Sequence, residues 1–499
     1  MSDYIIVQAG GKGTRMEHLT ANKPKALVPV NNLPMLFHLF RKYPDKKFVI
    51  IGDYKYDVLH KYLQCFAETE YLMVNADGKK GTCAGLKKAL ALLPEKKSFM
   101  LIWSDLILSD SFEMPEENEN FVGLSGDFRC RWSYENGEFK EEPSVERGVA
   151  GLFIFKGKEE IEDVPEEGEF VRWLGQKERK LKEIILEKTK EYGILDEYKK
   201  LPESKCRPFN KMTVEGERII KEGIDDQGRK LAVKEQEWYQ FVEKLGYKRI
   251  PKIYSYQPFT MEKIQGRNIY EYKNRTFQEK KKIVKSIVDA LKELHSLGTC
   301  ETDMFSMHEN YVDKTFERID KVRNLIPFAN EREIMINGRK CRNVFYYRDE
   351  LEDRLNRLKA KNFCILHGDC TFSNMMLRND TEAVLIDPRG YFGKTRMYGD
   401  VAYDWAKLYY SIAGNYDQFN VKNFSLDIMD EEIRLKIESN GFEDVEDYFF
   451  ELTAEEADRE SIQLIHAVIW LSLTTYAWED YDSICGAFYN GLYYLEGVL

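Results

Sequence analysis

From the amino end, short apolar runs alternate with stretches whose apolar residues recur every three or four positions. "YIIVQA", "KFVIIGD" and "SFMLIWSD" are runs of the kind that form buried strands, each stopping at Gly or Asp. Between them, "DVLHKYLQCFAE" and "AGLKKALALLPE" carry apolar residues at helical spacing. Strands alternating with helices predict a mostly parallel sheet covered on both faces, with ligands bound beyond the carboxyl ends of its strands. The polar stretch 134–148 ("YENGEFKEEPSVERG") predicts a hairpin or loop, and "VAGLFIFKG" another buried strand.

The pattern changes after "KKLPESKCRP" (199–208), which is polar and holds two prolines, so the domain boundary is expected at 203/204. "KMTVEGERIIKEGID" alternates like an antiparallel hairpin turning near Gly216. "KEQEWYQFVEKLGY" predicts a helix that stops at Gly246, and "IYSYQPFTMEKIQG" predicts two more short strands. From about residue 277 the spacing is mostly helical to the end, apart from a loop-rich stretch at 365–400. The expected class is therefore α/β, with a Rossmann-like domain over 1–203. Over 204–499 a small sheet lobe precedes a large helical lobe.

A chain of 499 residues accommodates two to four such domains. Its net charge of −11 argues against a broad nucleic-acid surface, because phosphate backbones are met by basic patches. The nine cysteines are scattered with no CxxC pair, which predicts reduced thiols in a cytoplasmic protein, without a disulfide framework or zinc site. No apolar run approaches the ~18 residues of a membrane span, and "MSDYIIVQ" has no signal-peptide character, so no membrane insertion is expected. Oligomeric state is left open.

Two segments carry chemistry. In "AGGKGTR", the backbone of Ala9, Gly10, Gly11, Gly13 and Thr14 can turn sharply and bring N–H groups to phosphates. Arg15, and Lys25 in "NKPKALVPV", can neutralise a triphosphate. This turn followed by "KPKAL" resembles the signature of the sugar-phosphate nucleotidyltransferase family, over about residues 3–200. The resemblance implies that Gly81 and Thr82 of "GTCAG" contact the base, and that Asp105 at the end of "LIWSD" binds magnesium. It also implies Lys25 and Arg15 as the catalytic cations. The family's second metal carboxylate lies in D-x-G-T. Here the segment reads Glu191-Tyr192-Gly193-Ile194, departing at the first and last positions.

The second segment is "HGDCTFSN", with Asn374 five residues after Asp369, followed by Asp387 at the end of "AVLID". That order suits a base for a substrate hydroxyl (Asp369) and two magnesium ligands on ATP phosphates (Asn374, Asp387). It resembles the aminoglycoside phosphotransferase and choline kinase family, from about residue 205 to the end. The resemblance implies a small-lobe Lys for the ATP phosphates held by a Glu; Lys221 and Glu235 are chosen, with Lys234 and Glu237 as competitors. Met261 and Glu262 would form the adenine-contacting hinge. Asp400 and Asp404 would support the catalytic loop or touch substrate, and a helix cap is the other reading of Asp400. Trp470 and Trp478, near Glu479, Asp480 and Asp482, could cage a quaternary ammonium, although rings at helical spacing also pack in cores. Arg389 stands where choline kinases commonly have an aromatic or acidic residue. His295 and His466 read as structural.

Taken together, the resemblances imply a bifunctional enzyme acting on small molecules with Mg2+, ATP and a second NTP (CTP, UTP or GTP). One domain would phosphorylate a small alcohol, a sugar being favoured. The other would join the phosphate to an NMP, giving an NDP-sugar-type precursor for surface glycans. The alternatives are a choline or amino-alcohol kinase with a CTP:phosphocholine-type cytidylyltransferase, and a transferase regulated by a non-catalytic kinase-like lobe.

Overall fold

The structure is a computed structural model that describes residues 3–116, 118–177, 179–201, 210–224 and 226–499. The expected boundary at 203/204 lies outside the described residues. The chain separates into two compact units, Met1–Pro202 with Glu479–Asp482, and Glu203–Trp478 with Ser483–Leu499.

The first unit is built on parallel strands. Tyr4–Gln8 lies between Lys47–Gly52 and Phe99–Trp103, and Tyr71–Asn75 extends the sheet beyond Lys47–Gly52. On the other side the antiparallel strand Gly148–Phe155 continues it to Phe121–Ser125, which pairs in parallel with Lys182–Ile185. Gly148–Phe155 is buried along its whole length, as a strand covered on both faces must be. The helices Tyr56–Phe66 and Leu86–Ala91 bury Leu59, Tyr62, Leu63 and Leu86, Ala89, Leu90, the three- and four-residue spacing seen in the sequence. The register Gln8↔Trp103 brings two carboxyl ends to one edge of the sheet. The Gly-rich loop leaves from Gln8, and Asp105 follows Trp103 by two residues. Within 134–148, the strands Ser133–Glu135 and Glu138–Lys140 form a hairpin.

The second unit opens with an antiparallel sheet in the order Asn210–Glu215, Arg218–Gly223, Phe259–Glu262, Ile253–Tyr256. Gly216 has φ 61°, the left-handed value that its hairpin turn requires. The helix Asp226–Lys244 follows, and Gly246 (φ 86°) lies just beyond it. The large lobe contains the helices Phe277–Ser296, Lys314–Val322, Val401–Ile412 and Arg459–Leu473.

This lobe corrects one expectation, because a four-stranded sheet interrupts its helices. It is made of Arg339–Arg342, Glu333–Ile336, Ile433–Ile437 and Phe424–Ile428. Its first hairpin turns on Asn337 (φ 50°) and Gly338 (φ 74°), a turn favoured by the twist of paired strands. Among the described residues no helix is long and apolar enough to cross a membrane, and all the cysteines are free.

Candidate active sites

In the first unit, Ala9 N–H donates to Ile51 O (2.8 Å) and Tyr54 N–H to Gly10 O (3.2 Å), fixing the loop to the sheet edge. A Cβ on Gly11 would meet nothing within 4 Å, so its backbone is open to a ligand. Gly13 has φ 66° and packs against Lys25, whose Cβ lies 3.1 Å from where a Gly13 Cβ would be. The Gly81–Thr82 loop is tied to the same edge by Gln8, whose amide nitrogen donates to Thr82 O (2.7 Å) and Ala84 O (3.2 Å). Gly81 (φ 89°) passes so close to Gly168 that a Cβ would sit 2.3 Å from its carbonyl oxygen.

Two carboxylates meet at this edge. The short strand Lys190–Glu191 pairs antiparallel with Leu106–Ile107, and Tyr192 N–H donates to Asp105 O at 3.1 Å. Lys25 is ion-paired to Asp105, both side chains largely buried. Arg15, 63% exposed, stands 4.0 Å from Glu191. Burial and the neighbouring Asp105 charge push Glu191 up to about 7, against the opposing pull of Lys25 and Arg15. Like charges held together this way suit a divalent cation, and magnesium commonly takes one or two protein carboxylates with the rest of its shell from phosphate and water. The residues present therefore fit magnesium, with Asp105 and Glu191 as its holders.

Gly193, the glycine that the segment keeps from the family pattern, makes this approach possible. A Cβ there would lie 2.2 Å from Glu191 Oε1 and 3.0 Å from Asp105 Oδ2. Gly193→Ala is expected to weaken magnesium dependence at this site by about 10–100-fold, read as the Mg2+ concentration for half-maximal nucleotidyl transfer, with the second unit's activity as internal control.

In the second unit the loop 366–374 runs between the strands Phe363–Ile365 and Met375–Arg378. His367 is buried and bonds through Nε2 to Ile386 O (2.9 Å). Asn374 Nδ2 donates to Asp369 Oδ2 (2.9 Å) and O (2.8 Å), so the expected pair is side by side. Lys407 Nζ is 3.0 Å from Asp369 Oδ1. Lys221 Nζ lies 2.7 Å from both Glu235 Oε2 and Asp387 Oδ1. Burial opposes the Lys221 charge, but Asp387 and Glu235 hold its pKa above the usual lysine value. The competitor Lys234 instead faces the Tyr391 ring at 4.1 Å. Asn374 and Asp387 are oxygen donors beside a lysine positioned for phosphates, a set that fits magnesium on ATP. Met261 is buried on the strand next to Lys221's, while the Glu262 carboxylate is occupied by Arg378 (2.8 Å).

Asp404 and Asp400 take the loop-supporting and helix-capping places that the sequence offered for them. Asp404 is buried behind the loop, where it accepts from His367 N–H (2.9 Å) and Gly368 N–H (2.8 Å). Asp400 caps the helix Val401–Ile412 and accepts from Tyr311 Oη at 2.9 Å. Trp470 is fully buried, with its Nε1–H donating to His466 Nε2 (3.0 Å) and Tyr410 and Phe419 packed against it. Trp478 is half-buried. Asp480 and Asp482, the carboxylates expected beside a cationic ligand, lie in the first unit and pair with the buried Lys23.

Residues 4–118 match the family model described as Nucleotidyl transferase, and residues 224–422 match the Phosphotransferase enzyme family. The chain therefore joins a nucleotidyltransferase domain to a phosphotransferase domain. Curated relatives match part of the chain. One is a protein named bifunctional protein GlmU from Methanococcus maripaludis, 28% identical over 123 residues, covering 24% of this chain and 29% of that one. Another is the UTP–glucose-1-phosphate uridylyltransferase AglF from Haloferax volcanii, 40% identical over 57 residues (11% of this chain, 24% of that one). The chain thus spans less than a third of the length of these relatives. Similar solved structures include HddC from Yersinia pseudotuberculosis, at 20% identity and TM-score 0.34, covering 40% of this chain and 98% of that one. The CTP:phosphocholine cytidylyltransferase LicC from Streptococcus pneumoniae is similar at 19% identity and TM-score 0.34, with the same coverage.

In the phosphotransferase domain a buried histidine braces Asp404, which holds the loop that carries Asp369. His295 bonds to Glu456 Oε2 (2.9 Å) and to Asp404 Oδ2 (3.3 Å). Burial opposes its charge, but the two acids raise it to about 9. A folded-state value above the unfolded one stabilises the protonated form, so this contribution is complete below about pH 6.5. It is lost as pH rises through 9. Thermal unfolding followed by tryptophan fluorescence should show the domain's midpoint falling between pH 7 and 9.5. His295→Gln should lower the midpoint at pH 6.5 and flatten that fall.

Proposed function

We propose that the chain phosphorylates a small hydroxylated metabolite, a sugar being favoured, and then couples the new phosphate to a nucleoside monophosphate. Support comes from two complete constellations in one polypeptide: Asp369, Asn374, Asp387 and Lys221 in one domain, Lys25, Asp105 and Glu191 in the other.

In the first step the acceptor oxygen attacks the γ-phosphorus of ATP, its bond to ADP breaks, and Asp369 takes the hydroxyl proton. Lys221, fixed by Glu235, holds the phosphates, and Met261 and Glu262 meet adenine through the backbone. In the second step an oxygen of the phosphate ester attacks the α-phosphorus of an NTP and pyrophosphate leaves. The backbone of Ala9, Gly10, Gly11, Gly13 and Thr14 cradles the triphosphate, Lys25 and Arg15 neutralise it, and Gly81 and Thr82 meet the base. Magnesium supplies charge neutralisation at both sites when bound. The product is an NDP-sugar-type precursor of the kind used for surface glycans.

Mass spectrometry tests this reading. Purified full chain is incubated with Mg2+, ATP and a pool of sugars, polyols, sugar acids, choline and ethanolamine, then with each NTP. The expected result is one acceptor gaining about 80 mass units (one phosphoryl group) and then one nucleoside monophosphate. A folded protein that modifies nothing in the pool, and hydrolyses no ATP, would contradict it.

A further inference from the structure

Beside Asp369 the phosphotransferase domain gathers cations that the phosphoryl-transfer step leaves unassigned. They converge on Tyr403, which sits on the helix Val401–Ile412 one turn before Lys407. Arg389 donates from Nη1 to Tyr403 Oη at 2.7 Å, and its guanidinium lies 5.8 Å from the ring centre. Lys314 Nζ lies 5.9 Å from the same ring. Arg318, one turn further along the helix Lys314–Val322, donates to Ser472 O (2.6 Å). Among the described residues, Lys407 is ion-paired with Asp369, whereas none of Lys314, Arg318 and Arg389 has a carboxylate within 4.0 Å.

Half-buried like charges repel one another and lose hydration, a cost that proteins normally offset with a counter-charge. Burial, then the charges of Arg389, Arg318 and Lys407, push the Lys314 ammonium well below the usual lysine value. Burial and Arg389 likewise pull Arg318 down. The cluster spends stability that a bound anion would return. The ATP phosphates already have Lys221 and the magnesium ligands. These cations lie instead around Tyr403, and Arg389 packs against the loop just before Asp369, its Cβ 3.0 Å from where a Gly368 Cβ would be. A quaternary ammonium acceptor would be repelled there, and a neutral sugar would leave the cations uncompensated.

We propose that the acceptor of the phosphotransferase domain already carries a negative group, a carboxylate or a phosphate, which Lys314, Arg318 and Arg389 bind while its hydroxyl meets Asp369. This rests on the kinase reading above and narrows its substrate to hydroxylated anions such as sugar acids or sugar phosphates.

Isothermal titration of the full chain loaded with Mg–ADP tests it, with gluconate against sorbitol and glycerol 3-phosphate against glycerol as probes. At least one anion should bind on the order of tenfold more tightly than its neutral counterpart, and which one does so tells carboxylate from phosphate. Lys314→Met and Arg318→Met should each erase that preference and leave Mg–ADP affinity unchanged. Equal binding within both pairs, or a preference that survives both substitutions, would overturn the proposal. So would weaker Mg–ADP binding in these variants, which would assign the cations to the nucleotide. The kinase reading is checked separately by Mg–ADP binding in Asp387→Asn: an unchanged affinity would reject that reading, and the acceptor proposal with it.

Discussion

Asp369→Asn is expected to remove phosphorylation of the acceptor, by about 10²–10⁴-fold or more, and to leave nucleotidyl transfer onto a supplied phosphate ester at its normal rate. The substitution keeps the side chain's shape and one oxygen that can accept from Asn374, now 2.9 Å away, or sit near Lys407, now 3.0 Å away. What it removes is the charge and basicity that, on the proposed mechanism, take the hydroxyl proton. Separate assays of the two activities on the purified variant check this. Loss of both in folded protein would mean that the two sites do not work as separate centres.

Asp105→Ala should give the mirror image. Asp105 partners Lys25 and faces Glu191 across the Lys190–Glu191 strand pairing, so its loss removes the proposed metal ligand and releases the lysine that would meet the triphosphate. Nucleotidyl transfer should fall by about 10²–10³-fold, with phosphorylation unaffected. Pyrophosphate release measured with a preformed phosphate ester reads the first effect, and ADP formation in the same sample reads the second.

The parallel sheet was legible because its strands are uninterrupted apolar runs ending in Gly or Asp, and because buried parallel strands need apolar residues on both faces. The strands at Glu333–Ile336 and Phe424–Ile428 were missed because they are half-exposed and carry charged residues on one side. A signal existed: "EIMINGRKCR" alternates around Asn-Gly, the strongest short hairpin cue.

At the sites, the residues named by spacing within one segment are gathered by the fold, as with Asp369 and Asn374. Glu191, read from a segment that departs from the family pattern, does lie beside Asp105. Sequence spacing could not place Asp404. Its position on a helix does not say whether it faces ligand or the back of the loop, and it took His367 and Gly368 as partners. Lys314, Arg318, Arg389 and Lys407 come from three separate stretches of chain; Arg389 stands out in the sequence only as a departure from the choline kinase pattern, and each of the others alone reads as an ordinary solvated charge. Only the fold puts them around Tyr403 and Asp369.

If one chain carries two transferase sites working in series, the ATP γ-phosphorus must pass through both. The full chain is given γ-labelled ATP, the acceptor found by mass spectrometry, and the second NTP. The label should end in the nucleotide-linked product, on the phosphorus bonded to the acceptor, and Asp105→Ala should halt it at the simple phosphate ester. Label found only in inorganic phosphate, or a nucleotide-linked product formed without it, would mean that the two sites do not work in series.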